Sequence, residues 1–542
     1  GCIPSRHTDF IFPVLAEEGG FLGAMLLLGL YAALFWRLVA MAGECLYERD
    51  QLIIIGVLVL IAFQVLVNIG VTLGLAPVTG ITLDSRDVRP GDLFAGLPGE
   101  QTHGRHFIAQ ARAQGAVAIL TDHDGIVDAD DLPVLESDDP RRILGSVSAA
   151  VYGHPGRELT LVGVTGTNGK TTVTHLIAAG LKATGNRIGL IGTAGVMIHD
   201  EELPSIRTTP EAPQMHALLA IMRERGVSDV VMEVSSHALV LGRVDGLRFD
   251  VTGFTNLSTD HLDFHGDMES YFAAKAMLFT PERTRHCVVC VDDEWGRRLA
   301  EKPEVATTTV SLGSDQHADV VCRECRVDAR GHQQLRVQAM GTEHSFEIAL
   351  PGEFNAANAT VAWAMLHHLG VTDRVIRTGF ADAFVAGRME LIDAGQDFTV
   401  IVDYAHSPDA VERVIRSVHA DGRRIVVLGC GGDRDRGKRS DMGRIAAECA
   451  DILFVTDDNP RSEEPAVIRA AMLAGVTSEN RSHVHEIGDR LAAISAALEA
   501  ARPGDAVLIL GKGHETGQEI AGIIHPFDDR VVARDLLAAE AS

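Results

Sequence analysis

A glycine-rich turn between an apolar run and a helix-forming stretch constrains this chain more than any other feature. The turn follows the run LTLVGVT, precedes THLIAAGLKATG and consists of Gly166, Thr167, Asn168, Gly169, Lys170, Thr171 and Thr172. In this context backbone N–H groups and the helix N-terminus point at a phosphate, a lysine supplies charge and a threonine hydroxyl can bind Mg²⁺. The first glycine of the usual template would fall at position 164, which is valine. The turn predicts a nucleoside triphosphate site, and a loop without phosphate is the alternative.

Apolar runs and helix-forming stretches alternate from residue 80 to the end of the chain. This alternation predicts an α/β fold with parallel sheets covered by helices, and functional sites at the carboxyl ends of the strands. Restarts of the strand pattern near Gly156 and Gly387 predict domains at 80–156, 157–386 (P-loop central domain) and 387–542 (Rossmann-like C-terminal domain). The strand-like runs are AVAILTD, LTLVGVTG, RIGLIGT, DVVMEVSS, IVVLGCGG, DILFVTDD and AVLILGKGHE.

Residues 1–79 differ in composition from the rest of the chain, because two long uncharged stretches make up most of them. The stretches cover residues 19–36 and 52–77, and a bilayer crossing takes roughly 20 residues. They predict a two-helix transmembrane-type hairpin, with membrane insertion through residues 19–77. A buried hairpin in a soluble protein is the alternative.

The formal net charge of −26 limits the partners of the chain. Such an excess of acidic side chains repels phosphate backbones, so no nucleic-acid partner is expected. Two Cys-x-x-Cys pairs, at 287–290 and 322–325, have the form of a zinc site. The 31 residues between the pairs exceed the usual spacing of about 15–20. We interpret them as core thiols, with zinc as the alternative.

Two polar side chains after strand-like runs are candidate metal partners. Glu233 follows the run DVVM, and His261 lies in TNLSTDHLDFHG. Mg²⁺ prefers oxygen ligands and bridges carboxylates to substrate phosphates. A solvated loop charge is the alternative for Glu233, and a hydrogen-bonded structural imidazole is the alternative for His261.

These motifs in this order resemble the Mur ligase family, the ADP-forming amide ligases of cell-wall precursor synthesis, over about residues 80–542. The resemblance implies ATP and Mg²⁺, catalytic roles for Lys170, Glu233 and His261, and Thr171 among the metal ligands. Lys275 in YFAAKAMLF resembles the family's lysine that CO₂ converts to N6-carboxylysine, which would add another catalytic group and metal ligand. From the residues alone, Lys275 would be an ordinary surface lysine.

The resemblance also implies the binding residues for both large substrates. For ATP these are residues 166–172 with Asn355 and Arg388, and Asp403-Tyr404-Ala405-His406 resembles a further contribution to the ATP site. The positions that resemble the binding site for a UDP-linked muramoyl dipeptide are Leu83, Ser85, Thr208, Thr209, Ser235 and Arg243.

The segment Asp458-Asn459-Pro460-Arg461 resembles the signature of family members that select meso-diaminopimelate. This amino acid differs from lysine by a distal carboxylate, and a guanidinium can bind a carboxylate in a bidentate fork. An ordinary Asn-Pro surface turn is the alternative. Arg434 in GGDRD, with Gly511 and Glu515 in GKGHE, completes the implied pocket.

The resemblance therefore implies an ATP-dependent ligase that adds meso-2,6-diaminopimelate to UDP-N-acetylmuramoyl-L-alanyl-D-glutamate through an acyl phosphate. It implies a monomer that acts in the cytoplasm. Another ADP-forming ligase, such as a folylpolyglutamate synthetase relative, is an alternative.

The N-terminal segments PSRHTDFIF, QVLVNIG and GLAPVTG resemble the SEDS membrane glycosyltransferases that polymerise peptidoglycan. Only the late part of that multi-span family is represented, so a fragment is expected. Asp9 resembles its catalytic aspartate, but an isolated carboxylate cannot position a sugar donor and acceptor. A membrane glycosyltransferase fragment remains an alternative function. A hairpin with both ends inside, or an artificial join near residues 78–83, would reconcile the two parts.

Overall fold

The computed structural model describes residues 30–41, 78–99, 102–128, 132–203, 207–301, 303–328 and 332–540. Residues 30–41 are helical, and their large apolar side chains include the exposed Leu30, Trp36 and Val39. Among the described helices, none combines the length and the apolar character needed to cross a bilayer. The first predicted span falls partly outside the described residues, and the second span and Asp9 fall wholly outside them. The transmembrane hairpin stays a prediction.

The chain divides into two compact units, residues 1–152 and 153–542. The first unit contains a four-stranded parallel sheet in the order β1-β2-β3-β4. Phe94, Ile108 and Ile119 form the centre of its core. Its strands are β1 (Gly80–Thr82), β2 (Asp92–Ala95), β3 (Ala118–Thr121) and β4 (Val134–Glu136). Its helices are α1 (Ile108–Ala113) and α2 (Pro140–Val151), with 3₁₀ turns at Gly104–Phe107 and His123–Asp128.

An eleven-stranded sheet, the central sheet, begins the second unit. Seven neighbouring strands in the order β13-β12-β11-β10-β5-β9-β6 are parallel, and antiparallel strands extend both edges. The strands are β5 (Thr160–Thr165), β6 (Ile188–Gly192), β7 (Gly195–Ile198), β8 (Glu201–Leu203), β9 (Asp229–Glu233), β10 (Val251–Phe254), β11 (Cys287–Cys290), β12 (Thr307–Ser311), β13 (Val320–Val327), β14 (Gln333–Ala339) and β15 (Thr342–Ile348).

Helices cover both faces of the central sheet, because its parallel strands are apolar on both sides. Val162 and Val164 of β5 pack into the core on one face, whereas Leu161 packs into the core on the other. The helices are α3 (Lys170–Lys182), α4 (Ala212–Glu224), α5 (Ser236–Val240), α6 (Leu262–His265), α7 (Met268–Ala276), α8 (Glu294–Glu301), α9 (Glu353–His368) and α10 (Asp373–Ala381), with a 3₁₀ turn at Pro155–Arg157.

A six-stranded sheet, the C-terminal sheet, has the order β16-β17-β21-β18-β19-β20 and is parallel except for β16. Two cores again cover its faces. Its elements are β16 (Glu390–Leu391), β17 (Thr399–Asp403), α11 (Pro408–Ser417), β18 (Arg424–Leu428), α12 (Lys438–Cys449), β19 (Ile452–Val455), α13 (Pro465–Leu473), a 3₁₀ turn (Arg481–His483), β20 (Val484–Glu486), α14 (Arg490–Ala500) and β21 (Ala506–Leu510). A separate hairpin, β22 (Gly517–Ile520) and β23 (Ile523–Pro526), and α15 (Asp529–Glu540) follow.

The seven apolar runs all form parallel strands, as predicted. The central and C-terminal sheets therefore each present a set of loops at the carboxyl ends of their strands. The cysteine pairs lie on β11 and β13, where Cys287, Cys290 and Cys322 are buried and Cys325 is exposed. The core interpretation is thus confirmed for three of these thiols and wrong for Cys325.

A buried ion pair fastens α14 and α15 to the C-terminal sheet. Arg490 Nη2 lies 2.7 Å from Asp529 Oδ2, and both side chains are 0% exposed. The same guanidinium donates to the carbonyl oxygen of Leu510 at the end of β21. The pair therefore holds the strand end from which the loop at residues 511–515 begins.

We expect Asp529→Ala to lower the free energy of unfolding by about 3–5 kcal/mol, because it leaves the Arg490 charge buried without its counter-charge. Urea denaturation followed by circular dichroism measures this loss. Arg444→Ala is the matched control, since it removes exposed ion pairs with Asp441 and Glu448. Equal losses in the two variants would contradict a special role for the buried pair.

Candidate active site

The carboxyl ends of the central and C-terminal sheets enclose a cavity of about 640 Å³. Lys170 and Arg461, which lie 291 residues apart in the chain, both line it. Most of the residues predicted for the site meet here. Those lining the cavity are Thr167, Asn168, Gly169, Lys170, Thr171, Thr172, Thr208, Thr209, Glu233, Ser235, Arg243, His261, Arg388, Arg434, Asp458, Asn459, Arg461, Gly511 and Glu515.

The glycine-rich turn joins β5 to α3 and is held by its neighbours. Thr167 N donates to the carbonyl oxygen of Asn256 at 2.8 Å, and Thr255 Oγ1 donates to the carbonyl oxygen of Asn168 at 2.6 Å. Gly169 has a φ of 87°, and a Cβ there would lie 2.2 Å from Asn358 Oδ1. Only glycine combines this conformation with this close approach.

Lys170 is the first residue of α3, and its side chain bends back over the turn. Its Nζ donates to the carbonyl oxygens of Gly166 at 3.0 Å and Thr167 at 2.9 Å. Burial lowers the pKa of Lys170, while Glu233 and Asp260 oppose the shift. The ammonium thus lies beside the backbone that would receive a phosphate.

Glu233 ends β9 directly opposite Thr171 and is only 1% exposed. Thr171 Oγ1 donates to Glu233 Oε1 at 3.0 Å, and Thr193 donates to the same carboxylate through both its backbone N and its hydroxyl. A hydroxyl and a carboxylate so close together are the oxygen ligands that Mg²⁺ prefers. The donor set therefore fits a magnesium ion next to Lys170.

His261 lies at the N-terminus of α6 with a left-handed φ of 54°. Its ring lines the cavity, is 46% exposed and has Nε2 3.5 Å from Asp260 Oδ2. Burial lowers the pKa of His261 to about 4, against the opposing charge of Asp260. The neutral imidazole keeps a lone pair for a metal ion or a proton at neutral pH.

Lys275 is buried behind the glycine-rich turn and does not line the cavity. Its Nζ donates to the carbonyl oxygen of Gly166 at 2.8 Å and lies 4.6 Å from the centre of the Tyr271 ring. Burial, reinforced by Lys170, lowers the pKa of Lys275 well below its usual value. The alternative that Lys275 is an ordinary surface lysine is wrong, since only 1% of it is exposed.

Thr208, Thr209, Ser235 and Arg243 form one wall of the cavity beside Glu233. Thr209 Oγ1 donates to the carbonyl oxygen of Glu233 at 2.9 Å and accepts from Ser235 N at 3.2 Å. Arg243 Nη1 donates to the carbonyl oxygen of Thr209 at 3.3 Å. This wall brings hydroxyls and a guanidinium to the same edge as the proposed metal ligands.

The opposite wall comes from the C-terminal sheet and contains the segment 458–461. Asn459 Nδ2 donates to Glu515 Oε2 at 2.7 Å, and Arg461 Nη1 donates to the carbonyl oxygen of Gly432 at 2.7 Å. Gly511 has a φ of 114°, and a Cβ there would approach Asp458 Oδ2 to 2.7 Å. Pro460 is a predicted pocket residue that does not line the cavity. Its effect on the pocket would come from shaping the backbone turn.

A second cavity of about 540 Å³ continues past the glycine-rich turn. Asn355 and Asn358 of α9 line it together with Arg388, which also lines the first cavity. Asn358 Nδ2 donates to Asn355 Oδ1 at 3.0 Å. The two cavities share the residues that would hold phosphates, so together they can accommodate an elongated ligand.

Three residues missed as site residues, Asp409, His514 and Thr193, connect the two sheets. Asp409 Oδ2 accepts from Asn168 Nδ2 at 3.1 Å and from Ser258 Oγ at 2.9 Å, and His514 Nε2 hydrogen-bonds the carbonyl oxygen of Thr193 at 3.3 Å. Thr193 directly follows a parallel strand, which was a usable signal. Asp409 had none, because acidic residues are common in the first turn of any helix.

Leu83 and Ser85 follow β1 in the first unit. Ser85 is buried and its Oγ donates to Gln110 Oε1 at 3.0 Å. Their assignment to a UDP site stays a prediction.

Family models match most of the chain. The models described as Mur ligase family catalytic domain, Mur ligase middle domain and Mur ligase glutamate ligase domain match residues 77–152, 164–366 and 387–513. A model described as cell cycle protein matches residues 1–84.

Similar proteins point to the same family. The UDP-N-acetylmuramoyl-L-alanyl-D-glutamate–2,6-diaminopimelate ligase of Streptomyces avermitilis is 50% identical over 470 residues, which are 85% of this chain and 93% of the relative. The corresponding enzyme of Corynebacterium glutamicum is 48% identical over 476 residues, 85% of this chain and 92% of that enzyme.

Solved structures agree in fold. A structure of a UDP-N-acetylmuramoyl-L-alanyl-D-glutamate–2,6-diaminopimelate ligase has a TM-score of 0.63 at 33% identity and covers 86% of this chain and 96% of its own. A Mycobacterium tuberculosis folylpolyglutamate synthase has a TM-score of 0.56 at 19% identity, covers 68% of this chain and 91% of its own, and shows a shared fold alone. The chain has the three-domain α/β fold of these ligases, and it belongs to the Mur ligase family.

Proposed function

We propose that this chain is an ADP-forming ligase that joins meso-2,6-diaminopimelate to UDP-N-acetylmuramoyl-L-alanyl-D-glutamate. The observation that carries the proposal is the shared cavity, in which a phosphate-loop lysine, Lys170, and a carboxylate-binding arginine, Arg461, face the same space. Two relatives that are about 50% identical to this chain over nearly their whole length carry the name of this ligase. The function follows from placing ATP at one wall of the cavity and the incoming amino acid at the other.

ATP would lie with its phosphates over the glycine-rich turn and its base in the second cavity, near Asn355 and Asn358. The γ-carboxylate of D-glutamate attacks the γ-phosphoryl group, which gives an acyl phosphate and ADP. Lys170 and the backbone N–H groups at the start of α3 stabilise the negative charge that develops on the transferred group. Arg388 donates to Thr171 Oγ1 at 3.3 Å and adds a second cation at this point.

The neutral amine of diaminopimelate then attacks the acyl phosphate, and phosphate leaves from the tetrahedral intermediate. Arg461, Asn459 and Glu515 would hold the far end of the amino acid and so aim its amine at the acyl carbon. Arg434, which lines the same cavity, would complete this pocket with Asp458, Pro460 and Gly511. Asp409 and His514 contact the central sheet from the C-terminal side, and closure of the cavity around the intermediate would exclude competing water.

Mg²⁺ fits the donor set of Thr171 and Glu233, with His261 as a neighbouring ligand, and when bound it would neutralise charge on the phosphates. Lys275 would add an anionic oxygen ligand after carbamylation to N6-carboxylysine. Burial supports this role, because a buried lysine favours its neutral amine and only the neutral amine reacts with CO₂.

The domain assignments follow from the same scheme. Residues 80–156, with Leu83 and Ser85, would bind the UDP group, residues 157–386 would bind ATP, and residues 387–542 would bind the amino acid. The dipeptide would lie against Thr208, Thr209, Ser235 and Arg243. Because its substrates would be ATP and a UDP-linked precursor, we infer that the activity is cytoplasmic. One chain supplies every proposed residue, so a monomer would suffice.

Phosphate release tests the function directly. With ATP and the UDP-muramoyl dipeptide present, we expect strong dependence on diaminopimelate and little release with lysine, since lysine offers Arg461 no distal carboxylate. Arg461→Ala should raise the KM for diaminopimelate by roughly tenfold or more while the KM for ATP changes little. Release without diaminopimelate dependence would favour another ADP-forming ligase, and equal rises in both KM values would contradict the pocket assignment.

Isotope-labelled bicarbonate tests the modification of Lys275. We expect a carbamate resonance in the NMR spectrum of the intact protein at neutral pH, because burial lowers the pKa of Lys275 and so favours its reactive neutral amine. Lys275→Met should abolish the resonance and most of the activity. A spectrum without this signal in the active wild-type protein would refute the proposed ligand.

Residues 80–542 should retain ligase activity without the N-terminal segment. The relatives align with about 85% of this chain and cover 93% of their own length, and the proposed site residues all lie between Leu83 and Glu515. The rate of phosphate release by the truncated protein should lie within about twofold of the rate of the full chain. Such a change is small beside a tenfold loss, which corresponds to about 1.4 kcal/mol. Complete loss of activity in a truncated protein with unchanged circular dichroism would show that the N-terminal segment takes part.

A further inference from the structure

Lys512 is a fully buried cation behind the wall of the cavity that would receive the amino acid, where it contacts the lining residues Asn459 and Glu515. It follows β21, and its side chain is 0% exposed. Its Nζ donates to the carbonyl oxygen of Gly517 at 2.6 Å, to Asn459 Oδ1 at 3.1 Å and to Glu515 Oε2 at 3.2 Å. An ammonium group has three N–H donors. All three are used within the protein, so Lys512 has no donor left for a ligand.

The contacts of Lys512 determine how the amide of Asn459 is turned. Asn459 Oδ1 accepts from Lys512 Nζ and also from the backbone N of Glu519 at 2.9 Å. Two donors on this oxygen exclude the reversed orientation, which would place the NH₂ group against them. Asn459 Nδ2 therefore faces Glu515 Oε2, to which it donates at 2.7 Å. Its second N–H remains for a ligand.

The same network gives the two carboxylate oxygens of Glu515 different roles. Oε2 accepts from both Asn459 and Lys512. Oε1 has no hydrogen-bond partner in the part of the chain that the structure describes, and Glu515 lines the cavity. The carboxylate thus offers one acceptor to a ligand, while the cation beside it offsets the cost of holding the charge away from water.

Lys512 also connects this pair to Arg461 through the hairpin of β22 and β23. Gly517, which accepts from Lys512, begins β22, and the same strand holds Arg461 in a left-handed conformation with a φ of 53°. Arg461 N donates to the carbonyl oxygen of Glu519 at 3.0 Å, and Ala521 N donates to that of Arg461 at 2.7 Å. A non-glycine residue keeps such a conformation only where its surroundings enforce it.

We propose that Lys512 is a positioning residue that sets the polarity of the amino-acid pocket. Through it, Glu515 Oε1 receives the ammonium of the ligand's distal amino-acid group, while Asn459 Nδ2 and Arg461 receive the carboxylate of that group. The inference rests on the proposed function, because it names how that site reads the far end of diaminopimelate. Lys512 selects the substrate without touching it.

The test is the steady-state kinetics of Lys512→Met in the full chain, with diaminopimelate, ATP and the UDP-muramoyl dipeptide varied in turn. We expect the KM for diaminopimelate to rise by roughly tenfold or more, as for loss of a charge-assisted contact. The KM values for ATP and the dipeptide should change by less than about twofold, since Lys512 contacts neither wall that would bind them. Gln518→Ala is the matched control, because Gln518 lies on the same strand and donates only to the carbonyl oxygen of Asp458. It should leave all three KM values unchanged.

A double-mutant cycle separates positioning from general stability. In a Glu515→Gln background, Lys512→Met should raise the KM for diaminopimelate by less than it does in the wild-type background, because one of the two side chains that Lys512 orients is already altered. If thermal unfolding shows that Lys512→Met does not fold, Lys512→Gln replaces it. A folded variant with the wild-type KM for diaminopimelate, or a full additive effect in the Glu515→Gln background, would overturn the inference. Wild-type protein without diaminopimelate-dependent phosphate release would instead refute the proposed function.

Discussion

The meeting of two parallel sheets at their carboxyl edges is the constraint on which this protein depends. Each sheet supplies half of the chemistry, and neither half contains both Lys170 and Arg461. Asp409 bonds the glycine-rich turn from the C-terminal side, and the guanidinium of Arg388 spans from Thr171 to the ring of Tyr404, 4.3 Å from its centre. These few polar contacts hold two sets of strand-end loops around one shared cavity.

Two lysines share one backbone acceptor at the glycine-rich turn. Lys170 and Lys275 both donate to the carbonyl oxygen of Gly166, at 3.0 and 2.8 Å. Burial lowers the pKa of both lysines, and the charge of Asp260 opposes both shifts. At the opposite wall, Lys512 and Glu515 form an ion pair. Within the described residues, this pair leaves one carboxylate oxygen of Glu515 without a hydrogen-bond partner.

Local pattern was sufficient for much of the fold. The parallel strands were predictable because strands buried on both faces read as continuous apolar runs, such as LTLVGVT before Gly166. The antiparallel strands β14 and β15 were not predicted, because their sequences QQLRVQA and TEHSFEI alternate polar and apolar residues on a half-exposed sheet edge. The hairpin at 517–526 was missed for a similar reason, as Ile523 and Ile524 are exposed and no apolar run marks it.

The chemistry of the individual loops could be predicted from the order of the residues, because glycines, a lysine and paired hydroxyls in a strand-turn-helix context are typical of a phosphate site. The family could be recognised in the same way, because several such motifs occur in order. The burial of Lys275, the contact of Asp409 with the glycine-rich turn and the contacts of Lys512 with Asn459 and Glu515 emerged only from the three-dimensional fold. The physical reason is that burial and hydrogen-bond partners depend on residues far apart in the chain, which no local pattern records.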